Sequence, residues 1–523
     1  MSLAGRAGLA LISAVCACAA LVPAAFARDL YATTDSGNVI KFDLSTNQPT
    51  GSPVPIGLKA FPFSLAVTPD GKTVAVANSG TNDASLIDVA TNQAAAPIPI
   101  GSTPFGVGIT PDGSRAYVAN NGDGNVSVID LRTNQTVGSP IEVGGEPSAI
   151  AVTPDGKHAY VANSLSETVS VIDTATNQTV GPEIKVGDAP DALAITPDGR
   201  SLFVTNIFGY ANVIDTETNQ PSAPIPLGSE PTDVAIGPDG ARAYVSNFAD
   251  GTVSVIDTAT RQVIGSPIPV GEHVGSLAMT PDGRRLMVVR LGTPDQIVSI
   301  DTTTDQVTGT PMSTGEKFGG VAIVPDQPPV ASFSPPRVVR PGVPATLDAS
   351  ASRDPDGSIA TFAWAFGDNA TASSSSPGQS HTYEEPGSYE ATLTLTDDEN
   401  CSTTFVFTGQ TAFCNGSGVA TQTRKVEVAY PGVRVRCSRK AKGACRFKLK
   451  AVARTGRRKH RKLEAQSAVT RARVKAGKTA IVSLKPKRAF AEKLAKAKKV
   501  LVQEVITVSG GAQTKVRKLK IVQ

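Results

Sequence analysis

The 523-residue sequence predicts an all-β protein: a seven-bladed β-propeller, an Ig-like β-sandwich, and a small basic, mainly-β domain with one helix. Three observations predict the propeller. A Pro-Asp pair recurs seven times, each copy of the repeat contains four short β-type runs, and the two ends of the array complement each other.

The Pro-Asp pair defines the period of the repeat. Successive pairs are 42, 43, 43, 41, 43 and 44 residues apart, and Gly follows the first six of them. An Asp that closes an apolar run also recurs seven times, from Asp43 to Asp301. A repeat of this length suits one propeller blade. The pairs begin at Pro69, Pro111, Pro154, Pro197, Pro238, Pro281 and Pro325.

Within one copy, residues 149–152, 159–162, 168–172 and 179–186 are rich in β-branched and aromatic side chains. Pro-Asp-Gly, Asn-Ser and Thr-Asn-Gln separate these runs, and such residues are typical of turns. Each copy is therefore predicted to form a four-stranded antiparallel blade.

The ends of the array predict how the ring closes. Residues 30–33, 38–42 and 54–56 match the second, third and fourth strands of a blade, whereas residues 320–324 match a first strand alone. We therefore expect a propeller over residues 28–326, in which residues 28–57 and 318–325 share one blade. Closure would remove the free sheet edges of an open array.

The second strands carry a family signature. Tyr-Val-Ala-Asn occurs at 117–120 and 160–163, and Phe-Val-Thr-Asn occurs at 203–206, each after Pro-Asp-Gly. These repeats resemble the YVTN family of β-propeller repeats. The resemblance implies an exported bacterial or surface-layer protein and no single activity, because propellers host many functions.

Residues 327–430 follow a Pro-rich passage and resemble a PKD domain. The matching motifs include Asp-Pro-Asp-Gly at 354–357, Phe-Ala-Trp-Ala-Phe-Gly-Asp at 362–368 and His-Thr-Tyr at 381–383. The resemblance implies that Trp364 anchors the sandwich core and that His381 makes a structural hydrogen bond. Asp354, Asp356 and Asp368 are predicted to be either solvated turn carboxylates or, less simply, ligands of a cation.

Residues 1–27 have the pattern of a signal peptide, with Arg6 before an apolar stretch and Ala-Phe-Ala at 25–27. A membrane anchor and lipid attachment at Cys16 or Cys18 are the alternatives. Export would favour disulfides over zinc ligation among the four later cysteines. Their spacing favours the pairs Cys401–Cys414 and Cys437–Cys445, and no metal site is expected.

Residues 431–523 carry 29 Lys and Arg against 3 Asp and Glu, a net charge of +26, whereas the remaining residues have a net charge of −22. Alternation at 445–451 and 518–521 predicts strands, and Phe490, Leu494, Ala497 and Leu501 share the spacing of one helical face. We expect these cations to bind a polyanion. The candidates are Arg434, Arg436, Lys448, Lys450, Arg457, Arg458, Lys459, Lys518 and Lys520.

One sector of the propeller breaks the rules of its own repeat. The Pro that lies seven residues before most Pro-Asp pairs becomes Val274 and Phe318, and the Asn that ends the second strand becomes Arg290. His273, Arg290, Lys317 and Phe318 are therefore predicted to share one sector of a rim. They are interpreted either as drift near the closing blade or as a ligand-binding patch.

These features favour an exported, non-catalytic binding or scaffold protein of the cell envelope, without a cofactor. Its expected partners are anionic envelope polymers or other surface proteins. No catalytic residue is assigned, because no nucleophile elbow, P-loop or zinc-binding His pattern occurs. Two alternatives stay open: a lactonase-like or other propeller hydrolase, and a protein that binds nucleic acid non-specifically.

Overall fold

A computed structural model describes residues 29–336 and 339–430. Within the last domain it describes residues 432–436, 444–455, 462–465, 469–476, 478–484, 499–508 and 511–522. The architecture is all-β, as predicted. The proposed signal segment, residues 1–27, lies outside the described residues.

Seven antiparallel sheets form the propeller blades. Blades 1–5 are β5–β9, β10–β14, β15–β19, β20–β24 and β25–β29; blade 6 is β30–β33, and blade 7 joins β34 to β1–β4. The strands are β1 (Asp29–Thr34), β2 (Asn38–Asp43), β3 (Gln48–Pro49), β4 (Val54–Pro55), β5 (Pro62–Val67), β6 (Thr73–Asn78), β7 (Asp83–Asp88), β8 (Gln93–Ala94), β9 (Ile98–Pro99), β10 (Pro104–Ile109), β11 (Arg115–Asn120), β12 (Asn125–Asp130), β13 (Gln135–Thr136), β14 (Ile141–Glu142), β15 (Pro147–Val152), β16 (His158–Asn163), β17 (Thr168–Asp173), β18 (Gln178–Thr179), β19 (Ile184–Lys185), β20 (Pro190–Ile195), β21 (Ser201–Asn206), β22 (Tyr210–Asp215), β23 (Gln220–Pro221), β24 (Ile225–Pro226), β25 (Pro231–Ile236), β26 (Arg242–Asn247), β27 (Thr252–Asp257), β28 (Gln262–Val263), β29 (Ile268–Pro269), β30 (His273–Met279), β31 (Arg285–Leu291), β32 (Gln296–Asp301), β33 (Gln306–Met312) and β34 (Phe318–Ile323).

The fourth strand differs from the sequence prediction. In blade 3, the single strand predicted at 179–186 is instead two short strands, β18 and β19, which both pair with β17. Gly181 between them has φ +72°, and Pro182 follows it. A left-handed Gly followed by Pro interrupts a hydrogen-bonded ladder, so the outer strand breaks there.

The seventh blade draws on both ends of the array. Strand β34 pairs antiparallel with β1, and its register places Leu30 opposite Ile323 and Ala32 opposite Val321. A shared core that includes Phe42 and Phe318 then joins this blade to blade 6. The pairing of the first and last strands of the array therefore closes the ring.

The PKD sandwich packs around the one Trp of the chain. Trp364 is buried, with Phe333 edge-on at 5.1 Å between ring centroids. His381 Nε2 lies 2.7 Å from Asp368 Oδ2, which is the structural bond expected of it. The elements are β35 (Ala345–Asp348), β36 (Ile359–Ala365), β37 (Thr371–Ser374), β38 (Gly378–His381), β39 (Gly387–Asp397), β40 (Phe405–Phe407), β41 (Ala412–Asn415), a 3-10 helix (Gly418–Ala420) and β42 (Thr421–Val428).

The three aspartates considered for a cation in this domain do not form one cluster. Asp354 and Asp356 precede β36, whereas Asp368 follows it and contacts His381. A seven-residue strand spans roughly 20 Å, which is too far for one ion to bridge. Asp354, which precedes β36, has the further carboxylates of Asp397 and Asp398 nearby.

The last domain forms a seven-stranded sheet. Cys445, Phe447 and Leu449 are buried while Arg446 and Lys448 are exposed, so the predicted alternation is confirmed there. The helix prediction is wrong at Leu501, which lies in β48, a strand rich in β-branched residues. The other three residues of the predicted helical face, Phe490, Leu494 and Ala497, lie outside the described residues. The strands are β43 (Gly432–Arg436), β44 (Cys445–Thr455), β45 (Lys462–Ala465), β46 (Thr470–Val474), β47 (Thr479–Ser483), β48 (Lys499–Val508) and β49 (Gly511–Val522).

Cys401 and Cys414 form the predicted disulfide, with a Cα–Cα distance of 5.3 Å. Cys445 is also disulfide-bonded, and its predicted partner, Cys437, lies outside the described residues. Across the described part of the chain, no helix combines the length and the apolar character needed to cross a membrane.

Candidate functional site

A hairpin of the PKD domain enters the central channel of the propeller. It consists of β40 and β41, and the Cys401–Cys414 disulfide ties its base. The Val152 amide donates to the Gly409 carbonyl (2.9 Å), and the Ile195 amide donates to the Thr408 carbonyl (3.0 Å). Val152 and Ile195 end the innermost strands of blades 3 and 4. The hairpin tip therefore lies at the end of the channel near the Pro-Asp-Gly turns.

Two phenylalanines hold the hairpin in place. Phe407 packs into the apolar core between blades 2 and 3, and Phe413 packs into the core between blades 5 and 6. Both are almost fully buried. Burial of one such side chain is worth about 1.5–3 kcal/mol, so the docked hairpin belongs to the propeller core energetically.

The rest of the channel is a cavity of about 390 Å³. Small residues line it because seven inner strands converge on the axis; a Cβ on Gly106, for example, would lie 2.6 Å from the Ser148 carbonyl oxygen. Gln410 and Thr411 of the hairpin also line it. The cavity therefore extends from the rim where the inner strands begin to the tip of the PKD hairpin.

Asp233 lies on this cavity, on the inner strand of blade 5. Its carboxylate accepts hydrogen bonds from the backbone amides of Val234 and, across the blade boundary, Leu277, both at 2.8 Å. These two bonds and a hydrogen bond from Ser276 lower the pKa of Asp233, but desolvation has the larger effect. The pKa is therefore raised to about 6.

Asp191 lines the same cavity from the inner strand of blade 4. Desolvation, followed by repulsion from the Asp233 carboxylate, raises its pKa to about 7. No hydrogen bond to its carboxylate is found within the described part of the chain. Both residues are half-buried and line the cavity. A group with these properties can bind a cation or exchange a proton near neutral pH.

Two aromatic pairs lie at the mouth of the cavity. Phe63 and Phe105 of blades 1 and 2 have ring centroids 4.2 Å apart. Across the channel, Phe248 stacks on His273 at 4.7 Å. Phe63 is 56 % exposed, which is unusual for a ring of its size. The wall of the cavity therefore combines aromatic faces with carboxylates, and Asp191 occupies in blade 4 the position that Phe63 and Phe105 occupy in blades 1 and 2.

The four residues predicted as a rim patch belong to blades 6 and 7. Phe318 is buried, lines the cavity and contacts Phe42 edge-on at 6.0 Å. His273 is exposed and lies at the mouth, where its ring stacks on Phe248. Arg290 donates to the Val270 carbonyl (3.3 Å), and Lys317 is exposed. Two of the four thus reach the cavity or its mouth.

The candidate polyanion-binding residues are distributed over several strands. Arg436 and Lys448 are exposed on β43 and β44. Arg434 and Lys450 belong to the same two strands, and Lys518 and Lys520 belong to β49. Arg457, Arg458 and Lys459 lie outside the described residues.

Sequence reasoning missed the two cavity carboxylates, although the repeat contained a signal for them. The two positions that follow the rim Pro are Phe-Ser, Phe-Gly and Ser-Ala in blades 1–3. They become Asp-Ala in blade 4 and Thr-Asp in blade 5. An acidic residue on an otherwise small or apolar inner strand was the available clue.

A different group of acidic residues lies beneath the propeller. Asp326 and Asp397 are buried near Cys401, with candidate ligand atoms within 4.8 Å of one another. Cys401 is disulfide-bonded and offers no thiolate. This group is therefore a poor cation site, and the cavity is the stronger candidate for function.

Comparisons with known proteins agree with this architecture. Residues 59–209 match the family model described as "Lactonase, 7-bladed beta-propeller", and residues 326–410 match the PKD domain model. The chain is therefore a seven-bladed β-propeller protein that carries a PKD domain.

Several solved structures are similar to the propeller. A protein of unknown function from Desulfotomaculum acetoxidans DSM 771 is 18% identical, with a TM-score of 0.50, over 57% of this chain and 98% of that one. Hydrazine synthase from Kuenenia stuttgartiensis is 27% identical, with a TM-score of 0.43, over 46% and 76% of the two chains. The dihydro-heme d1 dehydrogenase NirN is 17% identical, with a TM-score of 0.44, over 57% and 75%. The Desulfotomaculum structure supports the fold alone.

Proposed function

We propose that this chain is an exported binding protein of the cell envelope whose propeller binds a small ligand in the central cavity. The observation that carries the proposal is a cavity that combines aromatic faces at its mouth, a half-buried pair of carboxylates and a hairpin at its inner end. Its volume lies within the range of about 300–1,000 Å³ that is typical of small-molecule sites.

The basic domain has a separate role in this proposal. Its net charge of +26 would attract anionic envelope polymers, while the acidic propeller and PKD domain remain available for the ligand. The YVTN-like repeats and the signal-like segment support an exported or surface-layer setting. A scaffold that presents these domains to other surface proteins is compatible with the same arrangement.

Binding in the cavity is tested by filling it. A Cβ on Gly275 would have only ordinary contacts, at 3.9 Å from Val289, so Gly275→Leu can occupy cavity space without a backbone clash. Gly378→Leu, in the PKD domain where a Cβ meets nothing within 4 Å, is the matched control. Ligands found in a thermal-shift screen of the full chain should lose at least tenfold in affinity with Gly275→Leu alone. Equal affinity for both variants would place binding elsewhere.

A hydrolase is the second candidate, and the pKa of Asp191, about 7, is the observation that favours it. A carboxylate with this pKa can take a proton from water as the water attacks a lactone carbonyl. The lactonase-type family match over residues 59–209 supports testing this substrate class. Lactone hydrolysis that disappears in Asp191→Asn would support the enzyme. Hydrolysis that a chelator abolishes would indicate a metal-dependent reaction.

A further inference from the structure

The charge of the cavity restricts the ligand that it can hold. Asp191 and Asp233 are the only ionisable side chains among its described lining residues. A wall that carries two carboxylates and no cation disfavours anionic ligands, because the ligand would enter a region shielded from water where like charges repel strongly. A ligand that is positively charged would instead neutralise the pair.

Acidic side chains also lie at the part of the mouth that blades 3–6 form, whereas exposed Lys59 and Lys317 precede the inner strands of blades 1 and 7. Glu146, Glu230 and Glu272 are exposed and directly precede the inner strands of blades 3, 5 and 6, and Asp188 is exposed just before that of blade 4. These four carboxylates lie on the same side of the ring as the cavity pair. They would raise the local concentration of a cation at the mouth.

The walls of the cavity favour an organic cation over a metal ion. Calcium takes six to eight oxygen ligands, and both oxygens of Asp233 already accept backbone amides. The remaining wall is largely apolar, with Leu277, Val289 and Leu291 on one side and the ring of Phe63 on the other. Aromatic faces attract ammonium groups, and apolar walls bind the hydrocarbon part of the same molecule.

We propose that the central cavity binds a protonated amine with an apolar or aromatic body, whose ammonium group lies between Asp191 and Asp233. The body of the ligand then packs against the aromatic pairs at the mouth. This inference rests on the proposed function, because it assigns a ligand class to the same cavity.

The proposal has a consequence for protons. The raised pKa values mean that the empty pair is partly protonated near pH 6–7, and an ammonium ion stabilises the ionised form. Binding should therefore release protons in this range, and affinity should increase from pH 5 to pH 8.

The basic side chains around the cavity are not among its lining residues. Arg290 and Lys317 are on the neighbouring sector of the rim, and Arg290 is engaged with the Val270 carbonyl. Three further basic residues lie on the second strands of blades 3, 5 and 6, at the end opposite the mouth. They are His158, Arg242 and Arg285.

The experiment compares three probes of the same shape with the full chain: 2-phenylethylamine, 2-phenylethanol and phenylacetate. Calorimetry at pH 8 should give binding of the amine at least tenfold tighter than binding of the alcohol or the acid. Titrations near pH 6.5, in buffers with different ionisation enthalpies, should show net proton release with the amine only.

Variants locate the binding. Asp191→Asn and Asp233→Asn should each reduce amine affinity about tenfold or more and reduce proton release. Glu217→Gln, which removes one exposed carboxylate on the outer side of blade 4, should change neither. Asp191→Asn mimics the neutral side chain that the cavity already accommodates, so it should fold normally.

Three outcomes would overturn the inference. If the alcohol or the acid binds as tightly as the amine and Gly275→Leu blocks it, the cavity binds ligands but the class is wrong. If Ca²⁺ alone binds in an Asp191-dependent manner while the amine does not, the pair is a metal site. If neither these probes nor any ligand from the screen binds in a manner sensitive to Gly275→Leu, the proposed function fails as well.

Discussion

Two kinds of polar residue lie near the axis of this propeller, and they have different roles. The Asn that ends the second strand donates its Nδ2 to the next strand of its own blade, as Asn120 does to Ser127 Oγ at 2.9 Å. Such residues are structural, because this bond joins two strands of one blade, although the Asn120 Oδ1 has no hydrogen-bond partner among the described residues. Asp191 has no comparable hydrogen bond among the described residues, and repulsion from Asp233 adds to its burial cost. A residue that destabilises its own fold in this way is a strong candidate for function.

Replacement of Asp191 should therefore change how stability depends on pH. The pKa of Asp191 is about 7 in the folded chain against an ordinary value of 3.8, so the folded state binds more protons between these values. Stability from this group is present below pH 4 and is lost as pH rises towards 7. Relative to the unmodified protein, Asp191→Asn should gain about 1 kcal/mol or more between pH 4.5 and pH 8, since one pKa unit corresponds to about 1.4 kcal/mol.

Scanning calorimetry of the full chain at both pH values measures this difference. Glu217→Gln serves as the control and should follow the unmodified protein at each pH. A constant stability difference for Asp191→Asn across the range would show that the carboxyl titrates normally in the folded state.

The hairpin of β40 and β41 is the element that joins the two domains. Gly409 at its tip has φ +94°, and a Cβ there would lie 2.9 Å from the Ala151 Cβ and 3.0 Å from Ile195. Both the backbone conformation and the close approach require Gly at this position. The close approach of the hairpin tip to the inner strands therefore requires Gly at position 409.

Gly409→Ala should therefore loosen the hairpin and destabilise the propeller. Backbone strain and overpacking each cost about 1–3 kcal/mol. Gly418→Ala is the matched control, because Gly418 begins the 3-10 helix that follows the hairpin and a Cβ there meets nothing within 4 Å. Limited proteolysis should cleave the hairpin faster in Gly409→Ala only, and the melting temperature should fall. Unchanged proteolysis would mean that the hairpin docks without this contact.

At the scale of the whole molecule, charge divides the chain into an acidic body and a basic end. The propeller and PKD domain carry most of the acidic residues, and residues 431–523 carry 29 of the 50 Lys and Arg. Exposed Arg436 and Lys448 show that at least part of this charge faces solvent. Many cations that face one polyanion act together, although a single exposed pair is worth only about 0–1 kcal/mol.

Association with envelope material should accordingly depend on the basic domain and on salt. The Debye length falls from about 10 Å at 0.1 M to about 3 Å at 1 M salt, so exposed cations lose most of their reach. Co-sedimentation of the full chain should decrease sharply over this range. A truncation that ends at Tyr430 should bind poorly at either salt concentration. Salt-resistant binding by the truncated chain would instead direct attention to the propeller rim around Arg290.

The repeat, and with it the fold, could be predicted from the amino-acid sequence alone. The Pro-Asp period specified seven blades, and the incomplete ends predicted the β1–β34 pairing. The PKD motifs predicted a core around Trp364. These predictions succeed because each blade is a local unit, whose turns and alternating strands are encoded within about 43 residues. The spacing of Cys401 and Cys414 was equally local, and so their disulfide could be predicted.

The position of the cavity and the residues that line it follow from the packing of the blades and could not be predicted from the repeat. Asp191 and Asp233 become neighbours because the inner strands of consecutive blades converge on one axis, which no local pattern reveals. The hairpin tip is more distant still: Gln410 donates to the Ile150 carbonyl, 260 residues away in the chain. Such contacts depend on the closed ring and on where the PKD domain leaves it, so they follow from packing rather than from periodicity.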